Sequence, residues 1–160
     1  MAKKKNITSA EKILDLFMDY TVEYGLGCSV YEFCTATGVS ENDFYDHFDT
    51  IEMAERHVWK SLMQSTIQTV QNDESFAGYD KRDQLLSFYF TFFENCLLNR
   101  SFLITSIEYH GSIKVLPILC LLKEEFEQFI IETFGGSNKL LDQLPIKVSK
   151  LTDKAIAEGY

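Results

Sequence analysis

Positive charge is in short supply in this chain. Fifteen Lys and Arg stand against twenty-four Asp and Glu in 160 residues, a formal net charge of −9. That balance opposes non-specific attachment to nucleic acid and to anionic membranes. Proline and glycine are scarce too, two and eight, which leaves long stretches without a helix breaker. No run of eighteen apolar residues occurs, so no membrane span is expected. The basic start MAKKKNITS has no apolar run behind it and does not read as a signal peptide. Cys28, Cys34, Cys96 and Cys120 lack the paired spacing of a zinc site and are expected as buried thiols in the reducing cytosol. The three histidines fall in no motif, and Gly-rich phosphate loops, HExxH and GxSxG are missing. An enzyme, a metal site and a cofactor are therefore not expected.

What the chain does have is apolar residues, 46% of the total with thirteen phenylalanines. That is enough for a packed core, and the composition points to an all-α fold. Thr8 with Glu11 has capping-box spacing ahead of a helix over about Ser9–Tyr24, ended by Gly25 and Gly27. Ile13, Leu14, Phe17, Met18, Thr21 and Val22 form its apolar face. Ser29 with Glu32 caps a second helix, and Ala36 suits a close crossing. Gly38 fits a left-handed turn, and Ser40 caps a third helix. Thr50 caps a fourth, from Ile51 to Val70 or beyond.

The polar segment 71–80 divides a small head from the remainder. Lys81–Leu98 is apolar on nearly all sides and predicts a central helix. A break at 99–101, a helix over Phe102–Tyr109, a second break at 111–117 and a long helix over Ile118–Phe134 complete the pattern. One or two further pieces are expected around Pro145.

The most informative stretch is Ser29–Phe48, SVYEFCTATGVSENDFYDHF. Its turn glycine, capping serine and aromatic cluster read as a helix–turn–helix, in which the first helix braces and the second meets the major groove. Val30, Ala36, Gly38, Val39, Ser40, Phe44, Tyr45, His47 and Phe48 together resemble the TetR family of one-component regulators. Thr50 and Glu52 match the capped start of the next helix there, and Ile13, Leu14, Asp15 and Gly25 its first helix. The resemblance covers about residues 10–60. It implies a DNA-binding head, residues 1–50, and a helical effector-binding and dimerisation domain, residues 51–160.

The resemblance implies a cytoplasmic homodimer on a palindromic double-stranded operator, most simply a repressor. A small apolar or amphipathic effector would release it. Ser29, Tyr31, Ser40, Glu41, Asn42, Asp43, Tyr45, Asp46 and His47 are the implied DNA-facing positions, with Lys3, Lys4 and Lys5 as an arm for a minor groove. Tyr45 and His47 occupy positions that contact phosphate in the family. Asn42, Tyr45 and Asp46 form the groove side on a helical wheel, flanked by Asp43.

Several positions depart from the family pattern. Glu41 stands in place of a lysine, Asn42 and Asp43 replace a glycine–threonine pair, and Asp46 replaces a basic or neutral residue. Tyr31 stands where arginine is common, and Ile51 where lysine is. Over residues 1–60 six Lys and Arg meet eleven Asp and Glu, a net −5. The acidic face makes a second expectation reasonable: a TetR-type fold without DNA recognition, serving as a small-molecule or lipid binder or as a protein-interaction module. In the C-terminal region Phe88, Phe92, Phe93, Tyr109, His110, Phe126 and Phe129 are the expected pocket residues, with Glu94 and Asn95 as further polar groups. The family dimerises through its last two helices, where this chain is short.

Overall fold

In the computed structural model residues 9–114 and 116–135 are described, the side chains of 112–116 excepted. The Lys3–Lys5 arm, Thr8 and the pieces around Pro145 lie outside the described residues. Among the described residues there are seven α-helices and no strand. They are α1 (Ala10–Tyr24), α2 (Val30–Thr37), α3 (Glu41–Tyr45), α4 (Ile51–Gln71), α5 (Lys81–Leu98), α6 (Arg100–Lys114) and α7 (Leu116–Phe134).

The helix starts follow from capping chemistry. Ser9 caps α1 by accepting from the Lys12 N–H. At α2 the Ser29 Oγ accepts from the Glu32 N–H at 3.2 Å, while the Glu32 carboxylate accepts from the Ser29 N–H at 2.8 Å. This reciprocal pair satisfies donors that the first turn leaves without partners. Ser40 caps α3 through the Asp43 N–H, Thr50 caps α4 through the Met53 N–H, and Asp80 caps α5 through the Asp83 N–H. Gly38 ends α2 at φ 75°, ψ 9°, the left-handed conformation that glycine adopts at little cost.

Two expected breaks are shorter than the sequence suggested. Asn99 alone separates α5 from α6, because its N–H bonds back to Asn95 and its carbonyl accepts from Leu103. Arg100 and Ser101 are thus already helical. Within the second expected break α6 kinks at Gly111, φ 64°, ψ −178°, and runs on to Lys114, and α7 begins at Leu116. Pro117 sits in the first turn of α7, where the missing N–H has no partner to lose.

Two apolar clusters organise the packing, and α4 belongs to both. The first joins Ile13, Phe17, Phe33, Phe44 and Phe48 to Ile51, Ala54, Val58 and Trp59. Phe102, Leu103 and Ile118 complete it, so it reaches past residue 50 into α6 and α7. Phe17 meets Phe33 and Phe102 edge-on, with centroids 5.8 Å and 6.2 Å away. The second cluster gathers Met63, Val70, Phe76, Phe88, Phe129, Ile130 and Phe134. Asn95 donates to Thr66 Oγ1 at 2.9 Å, and Lys60 pairs with Glu125 at 3.0 Å, fastening α5 and α7 to α4.

On α1, Ile13, Phe17 and Thr21 are buried, whereas Val22 is half exposed. Ala36 is exposed as well, so it sets no close crossing. Among the described residues, no helix is long and apolar enough to cross a membrane.

Candidate functional site

The arrangement of α2, the turn at Gly38 and α3 is held from inside by three rings. Phe33, Phe44 and Phe48 are buried, with centroids 5.7 Å apart from Phe33 to Phe44 and from Phe44 to Phe48. His57 of α4 meets Phe48 edge-on at 5.1 Å, and its Nδ1 lies 2.8 Å from the Met53 carbonyl. These contacts use every inward side of α3 and leave its other side in water. Glu41, Asn42, Tyr45, Asp46 and His47 are exposed there, as are Ser29, Tyr31 and Ser40 nearby. Tyr45 keeps 51% of its surface.

Asp43 departs from the expected pattern. It is only 6% exposed, and its Oδ1 has no hydrogen-bond partner among the described residues. It therefore cannot flank a groove-facing surface. A wheel drawn on a five-residue helix does not decide its faces, and here Asp43 is buried together with Phe44, the residue that follows it. The helix N-terminus partly offsets the cost of burying the carboxylate.

The residues expected to line an effector pocket are split between two places. Phe88 and Phe129 are almost fully buried, their rings 4.9 Å apart, and Phe126 lies 5.1 Å from Phe88. Phe92 stacks on Phe88 at 6.1 Å. These rings of α5 and α7 pack against one another. Phe93 points outward, 60% exposed. Asn95 is engaged with Thr66, and Glu94 is exposed.

Tyr109 and His110 make their contacts elsewhere. Tyr109 rests beside Gly27, in the link between α1 and α2. His110 Nε2 donates to the Glu55 carboxylate, 2.9 Å from Oε1 and 2.7 Å from Oε2. The Ser106 hydroxyl donates to the same carboxylate at 2.5 Å, and Trp59 Nε1 donates to Ser106 at 3.0 Å. Glu55 is 2% exposed, so this chain of bonds is the compensation its burial requires. No local pattern marks it, since 51 and 55 positions separate Glu55 from its partners.

A groove of about 610 Å³ opens between α1 and the junction of α5 with α6. Met18, Asp19, Val22 and Glu23 line one side, and Leu98, Asn99, Ser101 and Phe102 the other. The sequence reading placed no site here. The signal available was the pair Asp19–Glu23, four apart beside the apolar face of α1.

The thiols follow their burial. Desolvation pushes Cys28, Cys34 and Cys96 above the ordinary thiol range, with Glu41 adding to the effect at Cys34. The Glu32 carboxyl is held below its usual value by the Ser29 N–H and then the Ser29 hydroxyl. Among the described residues no group of three or more His, Cys, Asp or Glu could hold a metal ion. Comparison with models of known families, with curated proteins and with solved structures finds no match for this chain.

Proposed function

We propose that the chain is a ligand-responsive DNA-binding regulator of the TetR type, acting as a homodimer on a palindromic operator. The observation that carries this reading is the α2–Gly38–α3 unit. Its caps, left-handed turn and three buried rings leave Glu41, Asn42, Tyr45, Asp46 and His47 together in solvent. Repression released by a small apolar or amphipathic effector is the simplest mode.

The test is fluorescence anisotropy with DNA from upstream of its own gene at two salt concentrations. Specific binding that weakens at higher salt supports the reading, since each phosphate contact contributes about −0.9 to the log–log slope. No binding at low salt would sink it. Glu41→Lys and Asp46→Lys should each raise non-specific affinity and steepen the slope by about one contact.

For the homodimer, α5 offers support. Leu86, Phe90, Phe93 and Leu97 recur at four-three-four spacing along it, and all are exposed. A second helix with the same spacing would cover such a stripe. Sedimentation should give twice the monomer mass, and Phe90→Glu with Phe93→Glu should return the monomer. A second reading draws on the acidity of the α3 surface, where Glu41 and Asp46 are exposed on a head of net charge −5. In it the same fold has no DNA partner and serves as a small-molecule or lipid binder or an interaction module. Native mass spectrometry showing a co-purified ligand, together with no DNA binding, would favour it.

A further inference from the structure

We propose that the exposed side of α3 reads exocyclic amino groups in the major groove, Asn42 an adenine and Asp46 a cytosine, and leaves guanine unread. The proposal rests on the regulator reading and names the base content of its operator half-site.

The second helix of a helix–turn–helix meets base edges with its N-terminal side chains. Asn42 is the second residue of α3, and Asp46 is its C-cap. The Asp46 N–H donates to the Asn42 carbonyl at 2.9 Å, which sets the two residues one turn apart. Cβ atoms at that spacing are about 5–6 Å apart, against a rise of about 3.4 Å per base pair, so the two side chains reach pairs one or two steps apart. Both are exposed. Among the described residues the Asn42 amide has no hydrogen-bond partner and Asp46 is in no salt bridge. The buried rings of Phe33, Phe44 and Phe48 hold the backbone beneath them, so neither side chain is needed for the fold. Asp43, which lies between them in sequence, is buried and takes no part.

The chemistry of these groups selects the bases. A carboxylate only accepts. In the major groove the donors are the N4 amino group of cytosine and the N6 amino group of adenine, whereas guanine N7 and O6 and thymine O4 all accept. Asp46 therefore bonds to an amino group and is repelled by a guanine edge. The Asn42 amide carries a donor beside an acceptor, the pair that matches adenine N7 and N6. Guanine is ordinarily read by Arg or Lys, and residues 13–55 contain neither. Glu41, exposed just ahead of Asn42, adds to the repulsion of an acceptor-rich edge.

The experiment selects duplexes from a random library with the full chain, then titrates the selected site by anisotropy with single base atoms changed. N4-methylcytosine and N6-methyladenine keep their pairing but put a methyl group where the major-groove N–H stood. Each should weaken binding about fivefold or more at the position read. 7-Deazaguanine, which lacks N7, should leave affinity within about twofold. Asn42→Ala should lose the adenine preference on reselection. Asp46→Ala should lose the cytosine preference while binding other sequences more tightly, since a charge that repels phosphate is gone. Both substitutions fall on exposed surface, and circular dichroism checks that each variant is folded. The proposal alone is overturned if the chain binds DNA but the methylated bases leave affinity unchanged, or if 7-deazaguanine weakens binding as much as they do. It is also overturned if either variant selects the parent's sequence. If no duplex binds at low salt, the regulator reading falls and the proposal falls with it.

Discussion

Glu55→Gln and Glu55→Ala separate the shape of the buried carboxylate from its charge. Ser106 Oγ and His110 Nε2 both donate into it, and Trp59 Nε1 donates to Ser106. Glutamine keeps the volume but turns an NH2 group toward one of those donors. Losing a hydrogen bond to a charged group costs about 1.5–3 kcal/mol. Alanine removes both acceptor atoms and the space they filled. It leaves the Ser106 hydroxyl and the imidazole N–H without acceptors at a site where Ser106 is fully buried, which should cost about 3–5 kcal/mol.

Urea unfolding followed by tryptophan fluorescence is the natural assay, because Trp59 is the chain's one tryptophan and belongs to the network. With a slope of about 2 kcal/mol/M for a domain of this size, the midpoint should fall by about 1 M for glutamine and about 2 M for alanine. A double-mutant cycle with His110→Ala should show a coupling of about 1–3 kcal/mol. Single effects below about 1 kcal/mol, or additivity within about 0.5 kcal/mol, would mean that α4 and α6 are not joined through this carboxylate.

Glu32→Ala should lower the melting temperature near neutral pH, and the gap from the parent should close in acid. The Ser29 donors depress the folded carboxyl, so its contribution is present above the unfolded value and is lost as pH falls through the folded one, over about pH 5 to 3. Gly38→Ala should cost about 1–2 kcal/mol through backbone strain alone, because φ is +75° while a Cβ there meets nothing within 4 Å; thermal unfolding reads it. Phe88→Ala should cost about 3–5 kcal/mol in urea unfolding, since it removes the ring against which Phe92, Phe126 and Phe129 pack. Cys34 should alkylate far more slowly in the folded than in the unfolded chain at pH 7.5, as read by mass spectrometry, because burial holds its thiol above the ordinary range.

The helical architecture was legible where the physics is local. Ser29, Ser40 and Thr50 cap helices because a side-chain oxygen three residues before an N–H needs nothing distant. The bounds Lys81–Leu98 and the turn at Gly38 could be read for the same reason. The buried polar network could not, because only the fold brings α6 against Glu55. Phenylalanine counts predict many rings between α5 and α7. They do not tell which of those rings meet, and the structure sets Phe88 against Phe129 at 4.9 Å while Phe93 is left exposed. Asp43 was misplaced because a helix of five residues is too short for a wheel to decide its faces.

What α4 does explains why shape and charge separate in the head. Its first half presents Ile51, Ala54 and Val58 to the core that holds α1, α2 and α3. Its second half carries Met63 and Val70 to the aromatic core. Glu55 and Trp59 lie on the first half and are tied to Ser106 and His110 of α6. The position of α3 is therefore set by buried contacts, above all Phe33–Phe44–Phe48 and the caps at Ser29 and Ser40. None of these involves Asn42, Tyr45 or Asp46, apart from the Tyr45 ring leaning edge-on against Phe44. Charge on the outer face can thus change from acidic to basic at the cost of about 0.3–1 kcal/mol per lost helix-dipole contact, as at Glu41, while the turn stays as it is. On the regulator reading proposed above, nucleic-acid affinity would rest with the exposed side chains of Glu41 and Asp46. It follows that the geometry of α2 and α3 and the chemistry of their surface answer to different residues.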